Sequence, residues 1–132
     1  MKKILILTIL FLNSATYAEE STIQCKEDGT QQEMNKCAYD GFQKADKELN
    51  RVYVALRKAK KEDELFLKNL TKAQKAWLKF RDLELASQFT CKSKDIKMCF
   101  GSMYNLSYFS SKSELTKQRV KTLSWQLEAS SL

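Results

Sequence analysis

Apolar residues recur at alternating four- and three-residue steps in three long stretches of this chain. This spacing places the apolar side chains of each stretch on one face of an α-helix and predicts helices that pack at shallow angles. The first stretch carries Ala38, Phe42, Ala45, Leu49, Val52 and Leu56. Thr30 and Glu33 form a capping-box pattern just before it. We therefore expect a first helix near residues 30–60.

The second stretch predicts a helix near residues 62–92 and carries the most distinctive segment of the chain. Its apolar residues are Phe66, Leu70, Ala73, Trp77 and Phe80. We expect Ala73, Trp77 and Phe80 to face the core, because they are spaced four and then three residues apart. The same helix carries Gln74, Arg81 and Asp82, polar side chains that simple packing does not require.

The third stretch predicts a helix near residues 102–129 and completes an all-α architecture. Its inward positions are Leu106, Phe109, Ser113, Thr116, Val120, Leu123 and Leu127, with a polar gap at the two hydroxyl residues. The joint at 60–63 is short and predicts an antiparallel hairpin of the first two helices. Residues 19–29 are expected to form an N-terminal strap. The chain has no Pro and three Gly, so a small bundle of three long helices is permitted.

The first 18 residues have the pattern of a secretory signal peptide. Lys2 and Lys3 precede an apolar run, Ile4–Leu12, and small residues lead to Ala18. The alternative is a membrane anchor, but a spanning helix needs about 20 apolar residues. We expect cleavage after Ala18, one domain over residues 19–132, no stable membrane anchor, and a periplasmic or secreted location.

Four cysteines predict two disulfides in an exported chain. Three pairings are possible, and we favour Cys25–Cys37 and Cys91–Cys99 because each pair is local and brackets a helix end. Zinc binding is the competing interpretation, but the chain has neither a CxxC motif nor a His.

Charge and residue inventory favour binding over catalysis. The formal net charge is +7, and it falls to +5 when Lys2 and Lys3 are removed with the signal, which suits an acidic partner but not nucleic acid. The chain lacks His and a Gly-rich phosphate loop. Asp82 and Glu84 lie two positions apart and point to different faces of a helix, so they make a poor acid–base pair. We expect no enzymatic activity, no cofactor and no metal.

Three sets of residues are candidates for a structural or binding role. Gln74, Arg81 and Asp82 can form a polar network with other helices, and the natural partners are Asp46, Asn50, Tyr53, Ser113, Thr116 and Arg119. A binding pocket is the alternative. Lys68, Lys72, Lys75 and Lys79 form either a solvated face or a surface for an acidic partner. Ser102 and Tyr104 belong either to a partner-binding patch or to core and cap, with Ser102 as the N-cap.

The chain resembles the LprI-like lysozyme-inhibitor family, small exported helical proteins of bacteria. The stretches that carry the resemblance are Cys25 with residues 33–38, residues 45–53, residues 73–84, and residues 115–119 with Leu123. Residues 73–84 are the most specific. The motif residues, which we expect to be structural, are Asp46, Asn50, Tyr53, Gln74, Trp77, Arg81, Asp82, Thr116 and Arg119. Leu85 and Ser111 stand where the family usually has cysteines.

The resemblance implies an inhibitor that binds a lysozyme-like muramidase in the cell envelope and performs no chemistry of its own. Two alternatives stay open. One is an immunity protein that neutralises a toxin delivered to the periplasm. The other is an envelope-stress module that binds an anionic cell-wall polymer through the lysine row.

Overall fold

The computed structural model describes residues 23–130, and its long elements are three helices. They are α1 (Gln31–Ala59), α2 (Glu64–Gln88) and α4 (Tyr104–Ala129). A short helix, α3 (Lys97–Phe100), and a 3₁₀ turn, Gly101–Met103, lead into α4. Residues 23–130 contain no strand. The predicted all-α class is therefore confirmed, whereas the predicted signal peptide lies outside the described residues.

Both long helices of the hairpin begin at side-chain caps. The Thr30 backbone N–H donates to Glu33 Oε2 at 2.7 Å, and Thr30 Oγ1 accepts from the Glu33 N–H at 3.4 Å. The predicted capping box is thus present. Asp63 Oδ1 accepts from the Phe66 N–H at 2.8 Å at the start of α2. These caps satisfy amide groups that the first turn of a helix leaves without partners.

α1 and α4 run parallel and form the most closely packed pair of helices. The rings of Phe42 and Phe109 stack at 6.1 Å near one end of the pair. Leu56 and Leu123, both fully buried, share the apolar core near the other end. Rising residue numbers on α1 therefore match rising numbers on α4.

α2 runs antiparallel to α1, as the short joint predicts. Tyr53 of α1 lies at hydrogen-bond distance from Thr71, whereas Asp46 lies beside Arg81, so higher numbers on α1 meet lower numbers on α2. The core at the centre of the bundle consists of Leu49, Val52, Leu56, Leu70 and Leu123. Burial of each large aliphatic side chain contributes about 1.5–3 kcal/mol to the free energy of unfolding.

Small side chains explain the polar gap in the third apolar stretch. Ser113 and Thr116 are buried on α4, and Ala45 is buried on α1. A Cβ added to Gly41 would lie 4.0 Å from Ser113 Oγ, so the two helices meet at this level. Thr116 Oγ1 donates to the Lys112 carbonyl of its own helix at 2.8 Å. Thr116 therefore fits the interface without a partner on another helix.

The two predicted disulfides are confirmed. Cys25–Cys37 ties residues 23–29, the described and non-helical part of the strap, to α1, and Cys91–Cys99 closes the segment that follows α2. The cysteines of each pair are 12 and 8 positions apart, respectively. Loops of this size correspond to about 2–4 kcal/mol of stabilisation in the chain-entropy description.

Two predictions about helix faces and ends are wrong. Phe80 is 52% exposed and Ala73 is exposed, whereas Arg81 is only 8% exposed. The inward face of α2 follows Leu70, Trp77 and Arg81, because Arg81 finds charged and aromatic partners between the helices. A prediction based only on the spacing of apolar residues places Phe80 on the inward face instead.

Ser102 is not the N-cap of the third long helix. It lies in the 3₁₀ turn, and α4 begins two residues later at Tyr104. The residue before α4 is Met103, which makes no side-chain cap. Gly101 has a φ of +57°, a left-handed conformation that favours glycine, and it directs the chain into the turn.

Candidate functional site

Arg81 is the centre of a polar and aromatic cluster between the three helices. Its side chain is 10% exposed, and its Nη1 lies 3.7 Å from Asp46 Oδ1. Its Nε lies 3.4 Å from Asp82 Oδ1. The guanidinium carbon lies 5.3 Å from the centre of the Trp77 ring and 6.0 Å from that of Phe42. Two carboxylates and two ring faces therefore compensate a charge that burial alone would disfavour.

Lys112 and Tyr108 of α4 extend this cluster. Lys112 Nζ lies 4.6 Å from the centre of the Phe42 ring and 5.6 Å from that of Tyr108. Burial lowers the pKa of Lys112, and the positive charge of Arg81 lowers it further. Burial raises the pKa of the Tyr108 phenol, and the Asp82 carboxylate contributes in the same direction. The cluster therefore places two cations side by side among aromatic rings.

Trp77 connects this cluster to a second layer built on Arg119. Arg119 Nε donates to Gln74 Oε1 at 3.0 Å and joins α4 to α2. Its guanidinium carbon lies 5.9 Å from the centre of the Trp77 ring, so Trp77 has an arginine from α2 and another from α4 near its ring. Burial lowers the pKa of Arg119. The side chains of the two helices are thus linked by charge and by ring contact.

A third layer joins α1 to α2 near the hairpin joint. Arg57 Nη1 donates to Thr71 Oγ1 at 3.0 Å, and the Tyr53 hydroxyl lies 3.4 Å from the same Oγ1. Burial alone would raise the pKa of Tyr53, but its hydrogen bonds to Thr71 and Arg57 outweigh burial and lower it. Sequence reasoning missed Arg57 and Thr71. Arg57 lies one helical turn after Tyr53 on α1, and Thr71 lies opposite Tyr53 across the short hairpin. These two positions are the sequence signal that could have identified them.

The structure brings together only part of the motif set predicted from sequence. Asp46, Trp77, Arg81 and Asp82 meet in the first layer, and Gln74 meets Arg119 in the second. Asn50 Nδ2 donates only to Asp46 Oδ2 of its own helix, at 3.4 Å. Phe42, Lys112 and Tyr108 complete the first layer. The sequence pattern placed Phe42 on the apolar face of the first helix and did not predict its contact with Arg81.

The chemistry available to the Arg81 cluster is that of charge pairing. The carboxylates of Asp46 and Asp82 both lie beside the Arg81 guanidinium and act as its counter-charges. Arg81 Nη1 and Ser113 Oγ are buried without a hydrogen-bond partner. Residues 23–130 contain no group of three or more His, Cys, Asp or Glu side chains that could hold a metal ion.

Tyr104 and Ser102 lie at the end of the bundle where α2 ends and α4 begins. Tyr104 is half-buried, and its ring centre lies 5.7 Å from that of Phe89 and 6.0 Å from that of Phe100. Ser102 is exposed. A groove of about 550 Å³ runs here between the start of α1 and the segment that enters α4, with Gln31, Asn35, Ile96, Ser102 and Tyr104 among its lining residues. Tyr104 therefore belongs mainly to an aromatic cluster, with one edge on a groove.

The lysine row lies on the side of α2 that faces away from the bundle. Lys68, Lys72, Lys75 and Lys79 are exposed. Each ion pair of the described residues involves other cations, so none of these four amines lies within 4.0 Å of a carboxylate. Their charge is therefore available to a partner.

The sequence profile described as lysozyme inhibitor LprI matches residues 22–123. The chain belongs to the LprI family. The matched range contains both disulfides, α1–α3, most of α4 and every residue of the three polar layers. No curated protein and no solved structure matches this LprI-family chain. Within the described residues, no helix combines the length and apolar character that crossing a membrane requires.

Proposed function

We propose that this LprI-family chain is a periplasmic or secreted inhibitor that binds a cell-wall hydrolase and blocks it. The observation that carries the proposal is the family match over residues 22–123, which includes all of the packed helices except the last six residues of α4. The Arg81, Arg119 and Arg57 layers support it, because their polar groups are used to join the helices. The side chains on the outer surface of the bundle are thus left for contact with a partner.

The residue inventory supports inhibition by binding. The chain contains no His, and its four cysteines are joined in disulfides. It therefore lacks histidine, the side chain most often used as a general base, and it lacks a free thiol nucleophile. A binding protein needs neither, because its effect comes from covering the partner's site.

The charge of the chain favours an acidic hydrolase. The formal net charge is +7 for the whole sequence and +5 once Lys2 and Lys3 are removed with the predicted signal peptide. A partner of the same sign is repelled at long range, which slows encounter, whereas an acidic partner is attracted. We infer that the target is an acidic muramidase rather than a strongly basic lysozyme.

Peptidoglycan lysis by a panel of purified muramidases tests this function. The panel should run from acidic to strongly basic enzymes, each assayed with increasing amounts of the purified chain. We expect dose-dependent protection against at least one acidic enzyme and weaker protection against the basic ones. Full lysis by every enzyme at a large excess of the chain would overturn the proposal.

An immunity protein against an acidic envelope toxin is the second candidate, and the same positive charge favours it. The two functions differ in their genetic context. A toxin gene beside the gene for this chain would favour immunity, because an inhibitor of a host or housekeeping muramidase needs no such neighbour.

A further inference from the structure

The outward side of α2 carries two adjacent rows of side chains that the bundle does not use. One is the lysine row, Lys68, Lys72, Lys75 and Lys79. The other is an apolar row, Ala73, Ala76, Phe80 and Leu83. Each row advances by three or four residues, so its members lie along one strip of the helix. We call the two rows together the outer face of α2.

The apolar row is exposed although α2 already has a separate inward face. Phe80 is 52% exposed and Leu83 is 59% exposed. Leu70, Trp77 and Leu85 meet the core from the other side of the helix. From Ala73 to Leu83 the row extends about 15 Å, at 1.5 Å per residue. Adjacent exposed apolar side chains bordered by charges are typical of protein-binding surfaces.

The lysine row supplies unneutralised charge beside this apolar strip. It spans about 16 Å from Lys68 to Lys79, nearly the same length as the apolar row. No described carboxylate lies within ion-pair distance of its amines. Asp82 is exposed nearby, but it pairs with Arg81 on the inward side. The outer face therefore has one apolar edge and one strongly positive edge.

We propose that the outer face of α2 is the docking surface for an acidic protein, the cell-wall hydrolase of the proposed function. This inference rests on that function and names the surface that performs it. The matching partner surface has an apolar patch bordered by carboxylates. Contact between the apolar patches slows dissociation, and contact between opposite charges speeds association.

The two other occupants fit the outer face less well. A second copy of the chain would bring the same four lysines against one another, and like charges across an interface are unfavourable. An anionic polymer would pair with the lysines, but a charged and hydrated polymer offers little apolar surface to cover Phe80 and Leu83. The joint presence of both rows is what favours an acidic protein.

Two variants with matched controls test the surface. The first replaces Lys68, Lys72, Lys75 and Lys79 by Gln, and its control replaces Lys44, Lys47, Lys58 and Lys121, which are exposed on α1 and α4, with the same change in net charge. The second is Phe80→Ser with Leu83→Ser. Its control is Val54→Ser with Trp125→Ser, at residues that are 62% and 70% exposed on other helices. Circular dichroism and thermal melting verify that each variant folds.

Association and dissociation rates are measured against an acidic muramidase that the unmodified chain inhibits, at low and high salt. We expect the α2 lysine variant to associate about tenfold more slowly at low salt, with a smaller difference at high salt. We expect Phe80→Ser with Leu83→Ser to dissociate at least about tenfold faster. Both controls should stay within about twofold of the unmodified chain.

The outcomes separate this inference from the function on which it rests. If the unmodified chain inhibits a muramidase but the α2 variants bind like the controls, the surface is wrong and the function stands. If the two lysine variants lose the same affinity, only net charge matters and the surface is again wrong. A dimer abolished by Phe80→Ser with Leu83→Ser, or capture of anionic cell-wall polymer that is insensitive to it, would assign the face to another occupant. If no muramidase is bound, the function and the surface fall together.

Discussion

Arg81 is the residue at which the three long helices are joined by charge and ring contact. It belongs to α2, its counter-charge Asp46 belongs to α1, and Lys112 of α4 packs on the Phe42 ring that Arg81 also faces. A buried guanidinium is stable only while its partners compensate the lost hydration. We therefore expect the pair with Asp46 to contribute more than a surface ion pair.

Asp46→Asn should lower the free energy of unfolding by about 1–3 kcal/mol, because it removes a counter-charge of a buried cation and keeps the side-chain shape. Urea unfolding near neutral pH measures the loss. Asp40→Asn is the control, since Asp40 pairs with Lys36 at 2.6 Å on the same helix with partly exposed side chains. That control should cost about 0–1 kcal/mol. Equal losses in the two variants would show that Arg81 does not depend on Asp46.

Glu33 should make part of the stability depend on acid pH. The Thr30 backbone N–H and hydroxyl lower the pKa of Glu33 below its ordinary value of 4.5. A lowered carboxyl pKa adds stability above the unfolded value, and that contribution is lost as the pH falls through the folded value. The free energy of unfolding of the unmodified chain should therefore exceed that of Glu33→Gln at pH 6, and this difference should shrink as the pH is lowered to 3. Urea unfolding measures the difference at each pH. A difference that stays constant over this range would show that the Glu33 carboxylate does not stabilise the cap.

Residue-level prediction worked where the partners are close in sequence. The capping box and both disulfides follow from local spacing, because three to twelve residues separate the groups that meet. Arg81 and Phe80 are a different case. Both fit a helical period, and only the positions of Asp46 and Phe42 on another helix decide that Arg81 turns inward. The candidate partners of Arg81 could be named from sequence, but the rotation of α2 could not.

The close packing of α1 and α4 depends on small side chains along their shared face. Gly41 and Ala45 on α1 lie at the level where Ser113 and Thr116 are buried on α4. A large residue in this zone would push the helices apart at a cost of about 1–3 kcal/mol. Ser113 and Thr116 therefore interrupt the apolar face of α4 because small side chains are needed where the two helices meet.

Gly41→Ala should raise the free energy of unfolding by about 0.5–1 kcal/mol. Glycine inside a helix is conformationally costly, and the added methyl would meet only Ser113 Oγ at 4.0 Å, an ordinary contact. Ala45→Leu is the contrasting variant, since Ala45 is 6% exposed, and it should be destabilising. Urea unfolding and thermal melting compare the two. Destabilisation by Gly41→Ala would mean that α1 and α4 are closer than the structure places them.

At the scale of elements, helix existence was predictable and helix ends were less so. The apolar periodicity predicted three long helices, and the observed bounds begin or end within four residues of the predicted ones. The start of α4 moved from Ser102 to Tyr104 because the Gly101–Met103 turn follows a short helix inside the disulfide-closed segment. Ser102 resembles an N-cap only when that constraint is ignored.

At the scale of the molecule, the described residues combine a bundle of internally paired helices with a positive and apolar outer face on α2. Arg57 and Arg119 donate hydrogen bonds between helices, and Arg81 joins α2 to α1 through its ion pair with Asp46. The four lysines of α2 face solvent. The sequence predicted the lysine row but not its apolar neighbour, because Phe80 was assigned to the core. The proposed binding surface thus depends on the rotation of α2.

Titration of an acidic muramidase with the purified chain during peptidoglycan lysis tests inhibition by docking most directly. Enzyme is held at a concentration far above the dissociation constant, and residual activity is measured against added chain. We predict a linear loss of activity that ends near one chain per enzyme, as expected for inhibition by docking. Undiminished lysis at a large molar excess, or release of peptidoglycan fragments by the chain without any enzyme, would show that the chain does not act as an inhibitor by docking.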